Sequence, residues 1–334
     1  MDNKPHLWIS RPTFDDVVEP LRAHFDVRAE DVERPLAVDE LKARLAWADA
    51  AIVGLKERIG ADEVAGAGRL RIVANLAVGY DNLDVAALTR AGIAATNTAN
   101  VLNESVADFA WALMLAAARR MGEAERWLRA GQWTQPAGYL EWMGVDLYRR
   151  TLGILGMGRI GQAVARRARG FGMPVIYHNR SRLDAATEQA CHARYVDKDT
   201  LLAEADALVL VVPRTPETHH IIGAPELARM KPDAVLVNVA RGGVVDEAAL
   251  ADALAARRLA AAGLDVFEDE PAVHPRLLAL ENVVLTPHMA SASTGTRRAM
   301  AATAADNVMA LFGQGEHAGR PPNLLNPEVL SRRT

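Results

Sequence analysis

The sequence predicts an α/β protein of two doubly wound parallel-sheet units, and three observations carry that prediction. Apolar, partly β-branched runs of strand length alternate with helix-patterned segments through most of the 334 residues, the order that puts helices on both faces of a parallel sheet. Half of the residues are hydrophobic, ample for conventional cores, and the length suits about two domains. One stretch, 151–182, reads as a complete strand–helix–strand unit with a glycine-rich first turn.

In chain order, Leu7-Trp8-Ile9-Ser10 is a first strand and 14–24 a helix in which Pro20 marks a break or a start. A helix over 38–47, a strand over 50–53 and a strand over 70–75 complete an α/β unit within the first hundred residues. The run Leu76-Ala77-Val78-Gly79-Tyr80 follows directly from a strand, where a parallel sheet presents its ligand loops. Val78 and Gly79 offer backbone N–H groups for a small carboxylate, or Gly79 with Asp81-Asn82 is simply a turn. A long apolar helix is expected over 103–118, with Glu104 and Asp108 favoured near its start by the helix dipole, and a more charged one over 123–129. Residues 131–148 form a loop with Trp133 and Trp142, which caps a cleft, packs on a partner subunit or belongs to the core. Later strands are expected over 207–212, ended by Pro213, and over 234–238, 262–266 and 283–286, with a terminal helix over 294–312. The Gly/Pro-rich tail shows no further element.

Composition narrows the class. A formal charge of −4 with scattered arginines gives no basic footprint for nucleic acid. Cys191 is the only cysteine, which rules out a disulfide or a cysteine zinc site within one chain and suits a reducing compartment. Met1-Asp2-Asn3-Lys4-Pro5 lacks the apolar segment of a signal peptide, and no apolar run approaches the roughly 20 residues that span a bilayer, so a cytoplasmic protein is expected. His219-His220 are adjacent at a surface helix start rather than on one helical face, and no metal site is assigned to them.

Residues 151–155 form the first strand of the complete unit, Gly156-Met157-Gly158-Arg159-Ile160-Gly161 its turn, 162–171 a helix and 174–178 the second strand. This is the dinucleotide fingerprint of a Rossmann-like fold. Gly156 permits the tight turn, Gly158 lets backbone approach a pyrophosphate, and Gly161 lets helix and strand pack closely. The helix N-terminus adds unpaired N–H groups and positive dipole. An Asp or Glu about 20 residues on would hold the ribose 2′-hydroxyl of NAD. Instead the second strand ends Asn179-Arg180-Ser181-Arg182, without an acid, which points to the 2′-phosphate of NADP or, more plainly, to a solvated basic turn.

Three polar residues stand just beyond the late strands: Arg241, Glu270 and His288. They make a workable set for reducing a 2-oxo acid. Arg241 would hold the substrate carboxylate and polarise its carbonyl. His288 would deliver the proton as hydride arrives, and Glu270 would keep that imidazole oriented and charged.

On the segments 75–84, 153–161, 238–246, 263–271 and 287–292 the chain resembles the D-isomer-specific 2-hydroxyacid dehydrogenases over nearly its whole length. Within them it looks most like glyoxylate/hydroxypyruvate reductases and 2-ketogluconate reductases. The resemblance implies two Rossmann-like domains, the cofactor domain (101–289) inserted in the substrate domain (1–100 and 290–334). It also implies catalysis by Arg241, Glu270 and His288, contact of Asp265 with the nicotinamide carboxamide, and binding of the substrate carboxylate by Val78 and Gly79. A homodimer with Trp142 reaching the neighbouring cleft is implied too. Two departures stand out: Ala290 where the family usually has Gly, and Asp108 where it has Glu. The expected activity is NADPH-dependent reduction of glyoxylate and hydroxypyruvate, with NAD possible. The rivals are 2-ketogluconate reduction, more distantly phosphite oxidation, and, in another class, a dinucleotide-sensing corepressor.

Overall fold

The computed structural model describes residues 4–331, which fall into two compact units, one made of the residues up to Leu102 with those from Ala292 onward, the other of Asn103–Ser291. The second unit is thus inserted in the first along the chain.

The first unit holds five parallel strands, β1 (His6–Ile9), β2 (Asp26–Ala29), β3 (Ala50–Val53), β4 (Ile72–Asn75) and β5 (Ala94–Thr96), in the order β2-β1-β3-β4-β5. This is a doubly wound order, with its reversal between β1 and β3. β2 and β5 were not expected from the sequence. β2 buries only Val27 and sits at a sheet edge, and β5 is three residues long, so neither carries a legible apolar run. The helix Asp15–Arg22 runs through Pro20 rather than stopping there. The helix Thr294–Leu311 returns to this unit, packing Ala304, Ala305, Val308 and Leu311 with Leu7, Ile9 and Ile52. The tail, expected to be featureless, ends in the short helix Glu328–Ser331 after Leu325 N–H donates to Ala95 O and Asn326 Oδ1 accepts from Ala95 N–H. Its order comes from β5's free edge, not from its own pattern.

The second unit holds seven parallel strands: β6 (Leu152–Leu155), β7 (Val175–His178), β8 (Ala193–Tyr195), β9 (Ala207–Leu210), β10 (Val235–Asn238), β11 (Ala261–Leu264) and β12 (Val283–Leu285). Their order is β12-β11-β10-β9-β6-β7-β8, the Rossmann order extended by one strand. β6, β9, β10 and β11 are buried at every residue, as strands covered on both faces must be. The order reverses between β6 and β9, so a crevice opens beyond their carboxyl ends. After β6 the helix Arg159–Ala168 starts three residues earlier than its apolar spacing suggested, directly at Gly158.

Candidate active site

Register brings three strand ends level. Asn238 pairs with Leu264 and Leu264 with Leu285, so the loops after β10, β11 and β12 emerge side by side. Asn238 shapes the first loop, accepting from Ala240 N–H at 3.0 Å and donating to Arg241 O at 3.2 Å. Gly242 lets that loop lie against the next, because any Cβ there would strike the Phe267 carbonyl. Neither residue was legible as functional in the sequence, although both flank Arg241 in its motif.

The loop after β11 delivers Glu270, whose Oε1 accepts from Phe267 N–H at 3.0 Å. The loop after β12 delivers His288, whose Nδ1 lies 2.8 Å from Glu270 Oε2. Burial pushes the Glu270 carboxyl up, but the His288 hydrogen bond and charge, the Phe267 N–H and the Arg241 guanidinium together hold it below the ordinary carboxylate range. Arg241, Glu270 and His288 therefore share one electrostatic neighbourhood, and the pair with Glu270 engages Nδ1 of the imidazole.

Asp265, 1 % exposed, works beneath this loop. Its carboxylate accepts from Thr286 Oγ1 (2.7 Å), Met289 N–H (2.8 Å) and Ala290 N–H (2.8 Å), while its carbonyl accepts from His288 N–H (2.8 Å). Burial raises its carboxyl above the usual range, and those donors offset part of the effect. His288 takes a left-handed backbone conformation, φ 51°, which these bonds sustain. Of the four lone-pair positions of the carboxylate, three are thus taken by the loop. Ala290 has no positive φ and is buried, so an alanine fits where glycine was the expectation. Asp108, the other departure, pairs with Arg167.

The glycine turn stands at the crevice. Gly156 has φ 101°, open to glycine alone at little cost. A Cβ on Gly161 would collide with Gly156 O, whereas one on Gly158 would meet no protein atom within 4 Å. No side chain caps the helix at Gly158, and Arg159 and Ile160 begin it. Open space before an uncapped helix N-terminus fits a dinucleotide pyrophosphate. Pro213 follows β9 across the reversal, its carbonyl accepting from Thr218 Oγ1 at 2.7 Å.

At the end of β7 the four polar residues divide. Asn179 Oδ1 accepts from Met157 N–H at 2.6 Å, tying the basic turn to the glycine turn. Arg182 donates from Nε and Nη2 to the two oxygens of Glu188, at 2.9 and 2.7 Å, and Tyr177 OH donates to Glu188 Oε1 at 2.7 Å. Those bonds, from Arg182 first and Tyr177 second, hold the Glu188 carboxyl down to about 2. Arg180 and Ser181 are exposed, and the Arg180 charge helps to lower the Glu217 carboxyl. The two arginines thus differ. Glu188 was not singled out in the sequence because it lies in a helix that carries no motif.

Trp142 packs edge-on to Trp127 at 5.2 Å, with the Arg120 guanidinium over its ring. Around it Tyr139 is 98 % and Leu140 75 % exposed. The rings of His219 and His220 stack at 3.9 Å, and His220 Nε2 meets Glu268 Oε1 at 3.0 Å. In the first unit Val78 and Gly79 lie in the loop after β4, half-buried.

A parallel sheet in Rossmann order, a glycine turn at its crevice and an Arg–Glu–His group at its strand ends define a nicotinamide-dinucleotide-dependent oxidoreductase. The family model "D-isomer specific 2-hydroxyacid dehydrogenase, NAD binding domain" matches residues 111–290. The chain is 46% identical over 333 residues to a glyoxylate reductase of Thermococcus onnurineus, covering 99% of this chain and 98% of the relative. To a glyoxylate reductase of Aeropyrum pernix it is 47% identical over 335 residues, covering 99% and 98%. A solved NADPH-dependent glyoxylate/hydroxypyruvate reductase of Sinorhizobium meliloti, in complex with NADP and malonate, superposes with a TM-score of 0.84 at 35% identity, covering 97% of this chain and 98% of that one. The protein belongs to the D-isomer-specific 2-hydroxyacid dehydrogenase family. Among the described residues no helix is long and apolar enough to cross a membrane.

Proposed function

We propose that this protein reduces small 2-oxo acids, glyoxylate and hydroxypyruvate foremost, with NADPH, and that His288 is the general acid. The observation that carries the reading is the 2.8 Å bond between His288 Nδ1 and Glu270 Oε2, with Arg241 acting on the same carboxylate. The glyoxylate reductases among its relatives favour the substrate class. The acid-free end of β7, with Arg180 exposed, favours NADPH.

When bound, the cofactor supplies a hydride. Gly156, Gly158, Arg159, Ile160 and Gly161 would hold its pyrophosphate at the helix start, Arg180 and Ser181 its 2′-phosphate, and Asn179 and Pro213 the walls beside them. Asp265 would offer its remaining lone pair to the carboxamide. Val78 and Gly79 would bind the substrate carboxylate through backbone N–H groups, and the Arg241 fork would draw electron density from the carbonyl. As C2 gains hydride, its oxygen takes the proton from His288 Nε2, and the neutral imidazole keeps its orientation on Glu270. The exposed side chains around Trp142 suit a homodimer, and a cytoplasmic setting suits both cofactor and single cysteine.

Initial rates with glyoxylate, hydroxypyruvate and 2-ketogluconate, each with NADPH and NADH, test the reading. Fast NADPH-dependent reduction of the first two is expected, and His288→Ala should lower kcat by about 10²–10⁴. A best rate with 2-ketogluconate would name the other reductase. Exclusive use of NADH would remove the cofactor assignment, and tight cofactor binding without turnover would favour a dinucleotide-sensing regulator.

A further inference from the structure

We infer that Asn97 and Asn75 are positioning residues that, together with the Thr98 backbone N–H, aim three successive backbone N–H groups, those of Val78, Gly79 and Tyr80, into one anion cradle. The inference rests on the proposed reading of Val78 and Gly79 as carboxylate donors and deepens it.

β4 and β5 lie side by side in parallel, with Ala74 opposite Thr96, so the residues after β5 stand beside the loop that leaves β4. Three consecutive carbonyls of that loop are held, two by residues that follow β5 and one by Asn75 at the end of β4 itself. Ala77 O accepts from Thr98 N–H at 3.0 Å, Val78 O from Asn97 Nδ2 at 2.8 Å, and Gly79 O from Asn75 Nδ2 at 2.9 Å. In a planar trans peptide the C=O of one residue and the N–H of the next point in opposite directions. Fixing these three carbonyls therefore fixes the directions of the Val78, Gly79 and Tyr80 N–H groups, each pointing away from the group that holds its peptide. None of the three donates to an acceptor among the described residues. Val78 and Gly79 are half-buried and Tyr80 is exposed; unpaired donors that are partly withdrawn from water carry a desolvation cost, and a row of oriented amides is a concavity that anions fill.

The two carboxamides are themselves fixed. Asn75 is fully buried and exchanges hydrogen bonds with Asn82 at 3.2 Å, while Asn82 Nδ2 also donates to Gly54 O and Glu57 O, each at 3.0 Å. Asn97, 7 % exposed, accepts from Ala99 N–H at 3.3 Å. The ligand these donors select is a small carboxylate, since three N–H groups in sequence match one planar anion and no side-chain charge is needed.

The test uses the full-length enzyme. Asn97→Leu keeps the branched side-chain shape and removes the donor, Asn97→Ala removes it without adding apolar bulk, and Asn97→Ser retains a hydroxyl. The readouts are KM for glyoxylate, KM for NADPH, melting temperature, and calorimetric binding of oxalate to the NADPH-loaded enzyme. Loss of one hydrogen bond to a charged group corresponds to about tenfold to hundredfold. Asn97→Leu should raise glyoxylate KM and oxalate Kd by that factor, leave NADPH KM and melting temperature near wild type, and Asn97→Ser should fall between. A folded Asn97→Leu enzyme within twofold of wild type in both carboxylate readouts overturns the cradle. If Asn97→Leu does not fold, Asn97→Ala decides on the same criterion. A wild type that neither reduces glyoxylate nor binds oxalate overturns the functional reading and the cradle with it.

Discussion

Arg182 closes a two-point ion pair on Glu188, Nε to Oε1 at 2.9 Å and Nη2 to Oε2 at 2.7 Å, and Tyr177 OH completes the carboxylate's partners. The guanidinium is therefore committed within its own turn. Arg180, two residues earlier, makes no such pair among the described residues.

The two arginines should separate in kinetics. Arg180→Ala is expected to raise KM for NADPH by about tenfold to hundredfold with little change for NADH. Arg182→Ala should raise it by a smaller factor and register instead as a lower melting temperature. Equal effects, or a larger one at Arg182, would reverse the assignment.

Glu270 has its own pH signature. Its carboxyl is held below the usual range, so the pair with His288 stabilises the fold above the unfolded-chain value, near pH 4, and that stabilisation fades as pH falls through the lower folded value. Wild type should melt above Glu270→Gln at pH 7, and the gap should shrink in thermal scans below about pH 4. The same substitution should lower kcat by about 10². A gap that widens with acid would contradict the pairing.

Asp265 anchors the His288 loop, so its variants should rank by acceptors lost. Asp265→Ala leaves Thr286, Met289 and Ala290 donors without a partner, at about 1–3 kcal/mol each. Asp265→Asn keeps one acceptor oxygen. Calorimetric unfolding together with kcat should place Asn between wild type and Ala on both scales; an Ala variant as stable as wild type would dismiss the anchor.

Two glycines of one turn should fail differently. Gly158→Ala adds a methyl group into open space, so melting of the free protein should change little while cofactor affinity drops at least tenfold. Gly161→Ala drives its methyl into Gly156 O and should cost stability by about 1–3 kcal/mol, the usual range for overpacking. Fluorescence titration with NADPH beside a thermal melt checks both at once.

Much of the architecture was legible because buried parallel strands must be apolar throughout. The segments at β3, β4, β6, β9, β10 and β11 declare themselves, and the spacing of Gly156, Gly158 and Gly161 marks the turn that opens the crevice. That Arg241, Glu270 and His288 follow strand ends was readable too, since each stands a few residues beyond an apolar run. Edge strands β2 and β5 were not, because an edge strand needs no continuous apolar run and takes its order from its neighbour.

What only the tertiary structure decided is who partners whom. Sequence set Arg180 and Arg182 side by side as equals, but a helix packed nearby brings Glu188 to one of them alone. Likewise Asp265 reads as a free acid at a strand end until the next loop folds over it and supplies three donors. Periodicity encodes which face of an element is buried, a property of neighbours along the chain. Hydrogen-bond partners and the direction of a peptide N–H depend on groups that folding alone makes adjacent.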